Sequence, residues 1–450
     1  MKRTTTSLFA VISALSAAVT LDAAAQSREP LCVTTEVRRI ASAPFMQVNG
    51  SDYLVALPLP SPTREGAAFV VAVRDPDHSL RVGDARGLAR TVDEMEFHAP
   101  YHSPERDPGL AVMRLDRTMR LVGEALFVPD PVRGERGEET FPPGIPAGVT
   151  IDDGVLVAEH IAGDLYATVV PASGAVQPPR RLAQSPVAST GHRGFVWITA
   201  APRVRDGARG AAVLAGTDDG EVVALDLDGH GVPRGAPVVW QQHVGGAMQL
   251  VAVPDASEPV AILERPVRGT TMTGDRAREQ VLVRLSPTLE PVGEPERLGL
   301  GPYPTTAVAR GRDLVITQWA EARGVAISTL AVERGAPRVE LPRIWTTDPL
   351  EGIPLAHATV RGAGNVLYDL MLHGDDTAGG LHAYVTYIPP AGTPYPRRDV
   401  IPLRARVIAR PALLPAEDGV SVVMATYDEL GGGVDVAHVR CEMLTLPARP

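Results

Sequence analysis

Lysine is nearly missing from this chain of 450 residues. Lys2 is the one lysine among 43 lysine and arginine residues, so every later cationic side chain, histidine aside, is an arginine. Schiff-base chemistry and a lysine general base are therefore excluded from the body of the chain. Aromatic residues are scarce at 4%, which leaves few Trp or Tyr platforms on which a sugar could stack. An excess of basic charge is lacking as well. The formal net charge is -10, whereas a nucleic-acid binder shows a basic footprint. After residue 25 no stretch approaches the ~20 apolar residues that a membrane helix needs. Cysteine is limited to Cys32 and Cys441, and zinc signatures need closely spaced pairs. There is no G-x-S-x-G, H-E-x-x-H, P-loop or dinucleotide-binding motif, so no common catalytic or nucleotide site has a local signature here.

What is present begins with a leader. Lys2 and Arg3 form a basic n-region, and Leu8 to Leu21 form an apolar run too short to span a bilayer. Ala23-Ala24-Ala25 supplies the small-residue pattern of a cleavage site. The reading is a signal peptide over 1–25 and one mature domain over 26–450. Cleavage removes two positive charges and one negative, taking the formal charge from -10 to -11. The expected location is periplasmic or secreted. In such an oxidising compartment Cys32 and Cys441, near the two ends of the mature chain, are expected to form a disulfide.

Helical periodicity is almost absent after the leader. Short β-branched runs recur between turn residues instead, which predicts an all-β fold. Eight such runs share a shape: Ala68–Asp75, Gly109–Asp116, Asp164–Pro171, Glu221–Asp228, Glu279–Ser286, Gly324–Val332, Gly380–Ile388 and Gly433–Cys441. Each follows another apolar run: Asp52–Pro58, Glu94–Ala99, Gly154–Ile161, Gly194–Ala200, Pro259–Glu264, Leu314–Trp319, Asn365–Leu372 and Val420–Tyr427. Pairs repeating every several tens of residues fit the blades of a β-propeller. With four strands per blade, A to D, the preceding runs read as B and the recurring runs as C. Eight blades are expected, or seven if Thr91–Asp130 is not a blade of its own. The chain stops soon after the last C strand, while an orphan strand, Cys32–Ile40, precedes the first A strand. That orphan is expected to supply strand D of the last blade and to close the ring. Cys32 and Cys441 would then be neighbours, and a bond between them would close a loop of about 400 residues, with a chain-entropy contribution of at least ~4 kcal/mol.

One stretch resembles a known repeat. Ala212–Gly229, followed by Val239-Trp240, is similar to the repeat of pyrroloquinoline-quinone dehydrogenases and their non-catalytic propeller relatives. Gly216, Thr217, Asp219, Gly220, Ala224, Leu225, Asp226 and Trp240 carry the likeness. The resemblance implies a propeller, and these families use eight blades. It covers one blade, Ala212–Trp240. The other blades lack the Trp and the A-L-D ending, and the adjacent cysteine pair of many such enzymes is absent.

Candidate sites are few. The histidines His98, His102, His230, His243, His373 and His382 show no recurring ligand spacing. Asp226-Leu-Asp228-Gly229-His-Gly231 offers oxygen ligands at alternate positions, as a calcium loop does, yet it falls where a C–D turn is required. Thr150-Ile-Asp152-Asp153-Gly154 resembles part of the Asp box of sialidases, without its Trp. No residue is assigned a catalytic or metal-binding role, and no cofactor is implied. Trp197 and Trp319 fall inside predicted B strands and are expected to pack in the core. The predicted B–C loops are long, and long loops on a rigid scaffold carry function. Arg203, Arg205, Arg209, Arg265, Arg268, Arg276 and Arg278 fall on these loops, which points to an anionic ligand or protein partner on one face. The sequence thus predicts an exported, monomeric, non-enzymatic binding or assembly scaffold. The alternative is a propeller enzyme, a hydrolase or quinone-dependent oxidoreductase, with its site at the central channel.

Overall fold

The computed structural model describes residues 32–34, 37–43, 54–75, 81–82, 109–131, 146–161, 163–184, 194–195, 197–217, 220–241, 246–253, 259–266, 278–300, 305–311, 313–320, 324–331, 344–345, 353–361, 366–374, 381–388, 395–401, 406–407, 411–416, 419–428 and 431–441. The predicted leader lies outside these residues. Among them every regular element is a strand. The chain opens with β1 (Cys32–Thr34) and β2 (Arg38–Ala43). The first four-stranded sheet is built from β3 (Leu54–Pro58), β4 (Ala67–Asp75), β6 (Gly109–Asp116) and β7 (Leu126–Pro129). Between β4 and β6, β5 (Arg81–Val82) leaves this sheet and pairs with β2.

Five sheets of sequential antiparallel strands follow. The second holds β8 (Ala147–Ile151), β9 (Gly154–Ile161), β10 (Asp164–Pro171) and β11 (Arg180–Ala183). The third holds β12 (Trp197–Arg205), β13 (Ala208–Gly216), β14 (Glu221–Leu227) and β15 (Val238–Gln241). The fourth holds β16 (Gly246–Val251), β17 (Val260–Pro266), β18 (Arg278–Leu285) and β19 (Pro291–Leu300). The fifth holds β20 (Thr305–Arg310), β21 (Asp313–Ala320), β22 (Gly324–Ala331) and β23 (Ile344–Trp345). The sixth holds β24 (Ile353–Arg361), β25 (Leu367–Gly374), β26 (Leu381–Ile388) and β27 (Tyr395–Ile401). In the last sheet β28 (Arg406–Val407) and β29 (Ala412–Ala416) pair with β30 (Gly419–Asp428), which pairs with β31 (Gly431–Cys441). Both β1 and β2 then pair with β31. The expected orphan strand therefore lies where strand D of the last blade belongs, and just beyond it Ala41 and Ser42 of β2 pair with β5.

The first strands of the first six sheets contact one another in turn, β24 contacts β29 of the last sheet, and β29 contacts β3. Among the described residues the fold is a β-propeller of seven sheets, the alternative to eight that the sequence leaves open, and the difference arises in the first two strand pairs. Ala67–Asp75 is a B strand hydrogen-bonded directly to the C strand Gly109–Asp116, and Leu54–Pro58 is the A strand. Glu94–Ala99 lies outside the described residues. The two apolar runs belong to one blade although a long insertion separates them in sequence, and the local pattern does not reveal a pairing across it.

Strands are buried on both faces because each blade is sandwiched between two others. On β9, Val155 and Val157 join the cluster shared with Val70, Ala72, Leu110 and Val112 of the first blade. Leu156 and Ala158 join Ala211, Val213 and Leu225 of the third. Each such large aliphatic side chain contributes about 1.5–3 kcal/mol by leaving water. The turn before β9 demands Gly154: its φ is +150°, and a Cβ there would lie 2.2 Å from the Val170 carbonyl oxygen. A recurring device shapes three C–D hairpins. Asp116, Asp228 and Ser286 each accept backbone N–H groups two and four residues later. The residues three positions on, Met119, Gly231 and Leu289, take positive φ. This closes a type I turn with a following bulge.

Candidate functional site

In each blade A and C run in one direction and B and D in the other. The A–B and C–D turns therefore share one end of the propeller, and the B–C and D–A connections share the other. The five described arginines of the seven selected from the sequence fall on both ends. Arg203 and Arg205 lie on β12, and Arg209 on β13, so Pro202–Gly210 is an A–B hairpin and not a B–C loop. Its turn is Asp206-Gly207, both at positive φ (53° and 79°), the geometry of a two-residue I′ hairpin. Arg265 is the last residue but one of β17 and Arg278 begins β18, at the opposite, B–C end of the fourth blade. Arg268 and Arg276 lie outside the described residues. The described arginines do not share one face, because Trp197–Arg205 is strand A of its blade and not the B strand that the sequence suggests for Gly194–Ala200.

Several of these arginines are already engaged. Arg205 Nη1 donates to Asp226 Oδ2 at 2.6 Å, and Arg203 Nη1 lies 3.3 Å from Asp226 Oδ1. Arg203 Nη2 also donates to the carbonyl of Pro287, in the C–D turn of the fourth blade. Arg265 Nε donates to buried Glu279 at 2.6 Å, and Arg297 Nε lies 2.9 Å from the other oxygen of that carboxylate. Arg209 is exposed, and its backbone N–H donates to Asp152 Oδ2 at 2.9 Å. The same use of arginine recurs between other blades. Arg38 on β2 reaches the carbonyls of Thr118 and Met119 in the first blade, and Arg114 on β6 those of Pro171 and Gly174 in the second. Arg361 on β24 reaches the carbonyl of Ala309 in the fifth.

The A–B hairpin of the third blade presents an apolar residue that the sequence reading did not single out. Val204 is 67% exposed between Arg203 and Arg205. Val232, in the C–D turn of the same blade, and Val292, at the start of β19 in the fourth, are also exposed. Arg209 and Arg234 are exposed nearby in sequence and fold. The signal that marks this hairpin was legible: an Asp-Gly pair flanked by alternating residues.

Two motifs from the sequence meet on the same end. Asp152 and Asp153, in the A–B turn of the second blade, dock against Asp228–Gly231, the C–D turn of the third. Asp153 Oδ2 lies 2.7 Å from His230 Nδ1, and the Asp153 N–H donates to the Gly229 carbonyl at 3.1 Å. The hydrogen bond to Asp153 holds the His230 imidazole above its ordinary pKa. Asp228 Oδ1 serves its own turn by accepting from His230 and Val232 N–H groups. Among the described residues no three His, Cys, Asp or Glu side chains are disposed to hold a metal ion.

A buried charged cluster occupies the other end, between the first and second blades. Arg74 on β4 donates to both oxygens of Asp130 and, at 3.1 Å, to Glu159 Oε2 on β9. Burial, reinforced by Asp130 and opposed by Arg74, pushes the Glu159 carboxyl up to about 7. Its neighbour His160, on the face towards the third blade, is pushed down to about 4 by burial and by the charge of Arg74.

The remaining sequence candidates resolve into local structure. Thr217 accepts the Glu221 N–H through its hydroxyl, and Gly220 takes φ +83° in the β13–β14 turn. Gly216 leaves room for the Trp197 ring, whose nearest atoms lie 2.1 Å from where a Cβ would sit. Trp197 is buried, as expected of it. His373 and His382 are register partners on β25 and β26. His98, His102 and His243 lie outside the described residues. Cys32 and Cys441 are register partners at the β1–β31 pairing.

No protein-family model matches the chain, and no curated protein does. Among solved structures it is similar to BBS1N in complex with ARL6DN, at TM-score 0.46 and 10% identity over 91% of this chain and 97% of that one. It is also similar to hydrazine synthase of Kuenenia stuttgartiensis, at TM-score 0.43 and 13% identity over 72% and 88%. A third likeness is to Drosophila Semaphorin 2a, at TM-score 0.42 and 9% identity over 74% and 71%. Likenesses of this degree carry no argument about function.

Proposed function

We propose that this chain is an exported binding scaffold that docks a protein partner on the A–B/C–D end of its third and fourth blades. The observation that supports this reading is where apolar surface is left uncovered. Among the described residues the large exposed hydrophobics are Val204, Val232, Val239 and Val292, all on these two blades. Val204 stands on a hairpin that is fixed on both sides, by Arg203 to the fourth blade and by the Arg209 backbone to the second. A rigid apolar tip is a suitable anchor, since little conformational freedom is lost when it is covered. Arg209 and Arg234 beside it favour a partner whose apolar patch carries an acidic rim. Export rests on the basic n-region, the apolar run and the Ala23-Ala24-Ala25 pattern.

A photo-crosslinking residue at position 204 of the full chain, expressed in the cells that make it, tests the reading. A discrete adduct is expected, and Val292→Glu in the same chain should abolish it. The same crosslinker at exposed Arg297, towards the opposite end, should give no such adduct. Adducts from position 297 but none from 204 would overturn the assignment of the face.

A further inference from the structure

Two of the histidines singled out in the sequence meet in the sixth blade. His373 is the last residue but one of β25 and His382 the second of β26, so both stand where these strands reach the B–C end. They are register partners. Directly opposed residues of an antiparallel pair share a face, with Cβ atoms about 4.5–5.5 Å apart. Two imidazoles on such a pair can close on one ion. A tetrahedral metal with nitrogen at about 2.0–2.1 Å needs donor atoms roughly 3.4 Å apart, which lies within reach of two histidines so placed.

The rows of this sheet show what else the face carries. Across β24 to β27 the pair's own row runs Pro354, His373, His382, Val400, and its outer members bring no donor group. The next row on the same face runs His357, Met371, Tyr384, Arg398. The row after that holds Thr359, Asp369 and Thr386, all buried. Thr317 of the fifth blade donates to Asp369 Oδ1 at 2.7 Å, so this is the face that the fifth blade covers. Met371 stands two residues before His373 and diagonal to His382, and its thioether is a soft donor. His357 lies on β24, two strand spacings or about 10 Å from the β26 column, too far from His382 to share an ion with it.

We propose that His373, His382 and Met371 form a copper(I) site at the B–C end of the sixth blade. Two neutral imidazoles and a thioether suit a soft monovalent ion and suit the hard, oxygen-seeking Ca²⁺ and Mg²⁺ poorly. Zinc also accepts imidazole but gains little from a thioether, so Met371 is the residue that sets the preference for copper. The scaffold favours such a site. The pair sits on adjacent strands of one sheet, and the hydroxyl bonds from Thr317 and Thr359 to Asp369 fix the same face two rows away.

Titration of the full chain with copper(I), kept reduced by ascorbate under nitrogen and offered in competition with bicinchoninate, tests this. Any free thiol is first blocked with N-ethylmaleimide, so that cysteine does not compete. The parent is expected to take one ion per chain from the chelator. His373→Ala and His382→Ala should each weaken binding at least tenfold, and His357→Ala should leave it unchanged. Met371→Leu, which keeps the volume, should weaken copper(I) binding at least tenfold while shifting zinc(II) binding less than twofold. X-ray absorption of the copper-loaded parent, which needs no variant to fold, should show two nitrogen neighbours and one sulfur. A parent that takes no copper from the chelator, binding that survives loss of both histidines, or a copper shell without sulfur would overturn the proposal.

Discussion

Glu159 and His160 are adjacent on β9, yet they respond to acid in opposite directions. Both are buried, and burial disfavours the charged form of either. For Glu159 this raises the folded value, so its contribution to stability is present at low pH and fades as pH rises. For His160 it lowers the folded value to about 4 from 6.5. Its contribution is present above pH 6.5 and is lost as pH falls towards 4, because the unfolded imidazole takes a proton that the folded one refuses. A shift of this size corresponds to roughly 3 kcal/mol at most. The two therefore oppose each other between pH 4.5 and 6.5, and only their removal one at a time exposes either. His160→Gln should be less stable than the parent at pH 7 in urea unfolding. That deficit should shrink by about 2–3 kcal/mol by pH 4, since the variant has nothing to protonate. A deficit independent of pH would mean that His160 is not held neutral. None of this chemistry was legible beforehand. Arg74, Asp130 and Glu159 come from three strands or their ends, and no spacing in the sequence announces that they meet.

At the scale of elements, the strands could be read, and so could most of their partners: in the second blade and in the fourth to the last, the expected B and C runs do pair. Apolar runs such as Gly109–Asp116 or Asp164–Pro171 are apolar because blades cover both faces, and that leaves a local mark. Pairing across a long insertion leaves none, which is why Ala67–Asp75 and Gly109–Asp116 read as two blades although they pair directly. The hairpin Trp197–Gly216 failed for a different reason. Its outer half extends beyond the core, so its residues are polar or exposed on both faces and looked like loop. The abundance of arginine is also explained here more than at a ligand site. A guanidinium reaches two acceptors at once in a fixed plane, and Arg114 uses this to hold the Pro171 and Gly174 carbonyls of the second blade at 2.7–3.2 Å. An ammonium on a flexible stem lacks that fork. Arg114→Lys should then lose most of what Arg114→Met loses, about 1–2 kcal/mol by thermal or urea unfolding. If lysine restores full stability, the charge and not the fork matters at this turn.

At the scale of the whole molecule, the first and last described strands pair, so residues about 400 apart in sequence share one ladder. Their order was legible, because a chain that begins with an unaccompanied strand and ends on a C strand is one strand short at one end and one over at the other. β1 and β2 supply the missing strand, and the register sets Cys32 opposite Cys441. Directly opposed residues in an antiparallel pair have Cα atoms about 4.5–5.5 Å apart, within the range that a disulfide spans. β1 is short: it pairs with β31 over three residues and touches β27 of the sixth blade. A bond at this position would restrain the unfolded chain through a very long loop, worth about 4 kcal/mol or more in the chain-entropy view. The protein made under oxidising conditions should therefore run two hydrogens lighter by intact mass before reduction than after. Reductant should lower its melting temperature, and Cys441→Ser should melt at that lowered temperature whether or not reductant is present. If reductant changes neither mass nor melting, the cysteines are unlinked, and the pairing of β1 with β31 must stand on its backbone bonds and on the cover that β5 gives to β2.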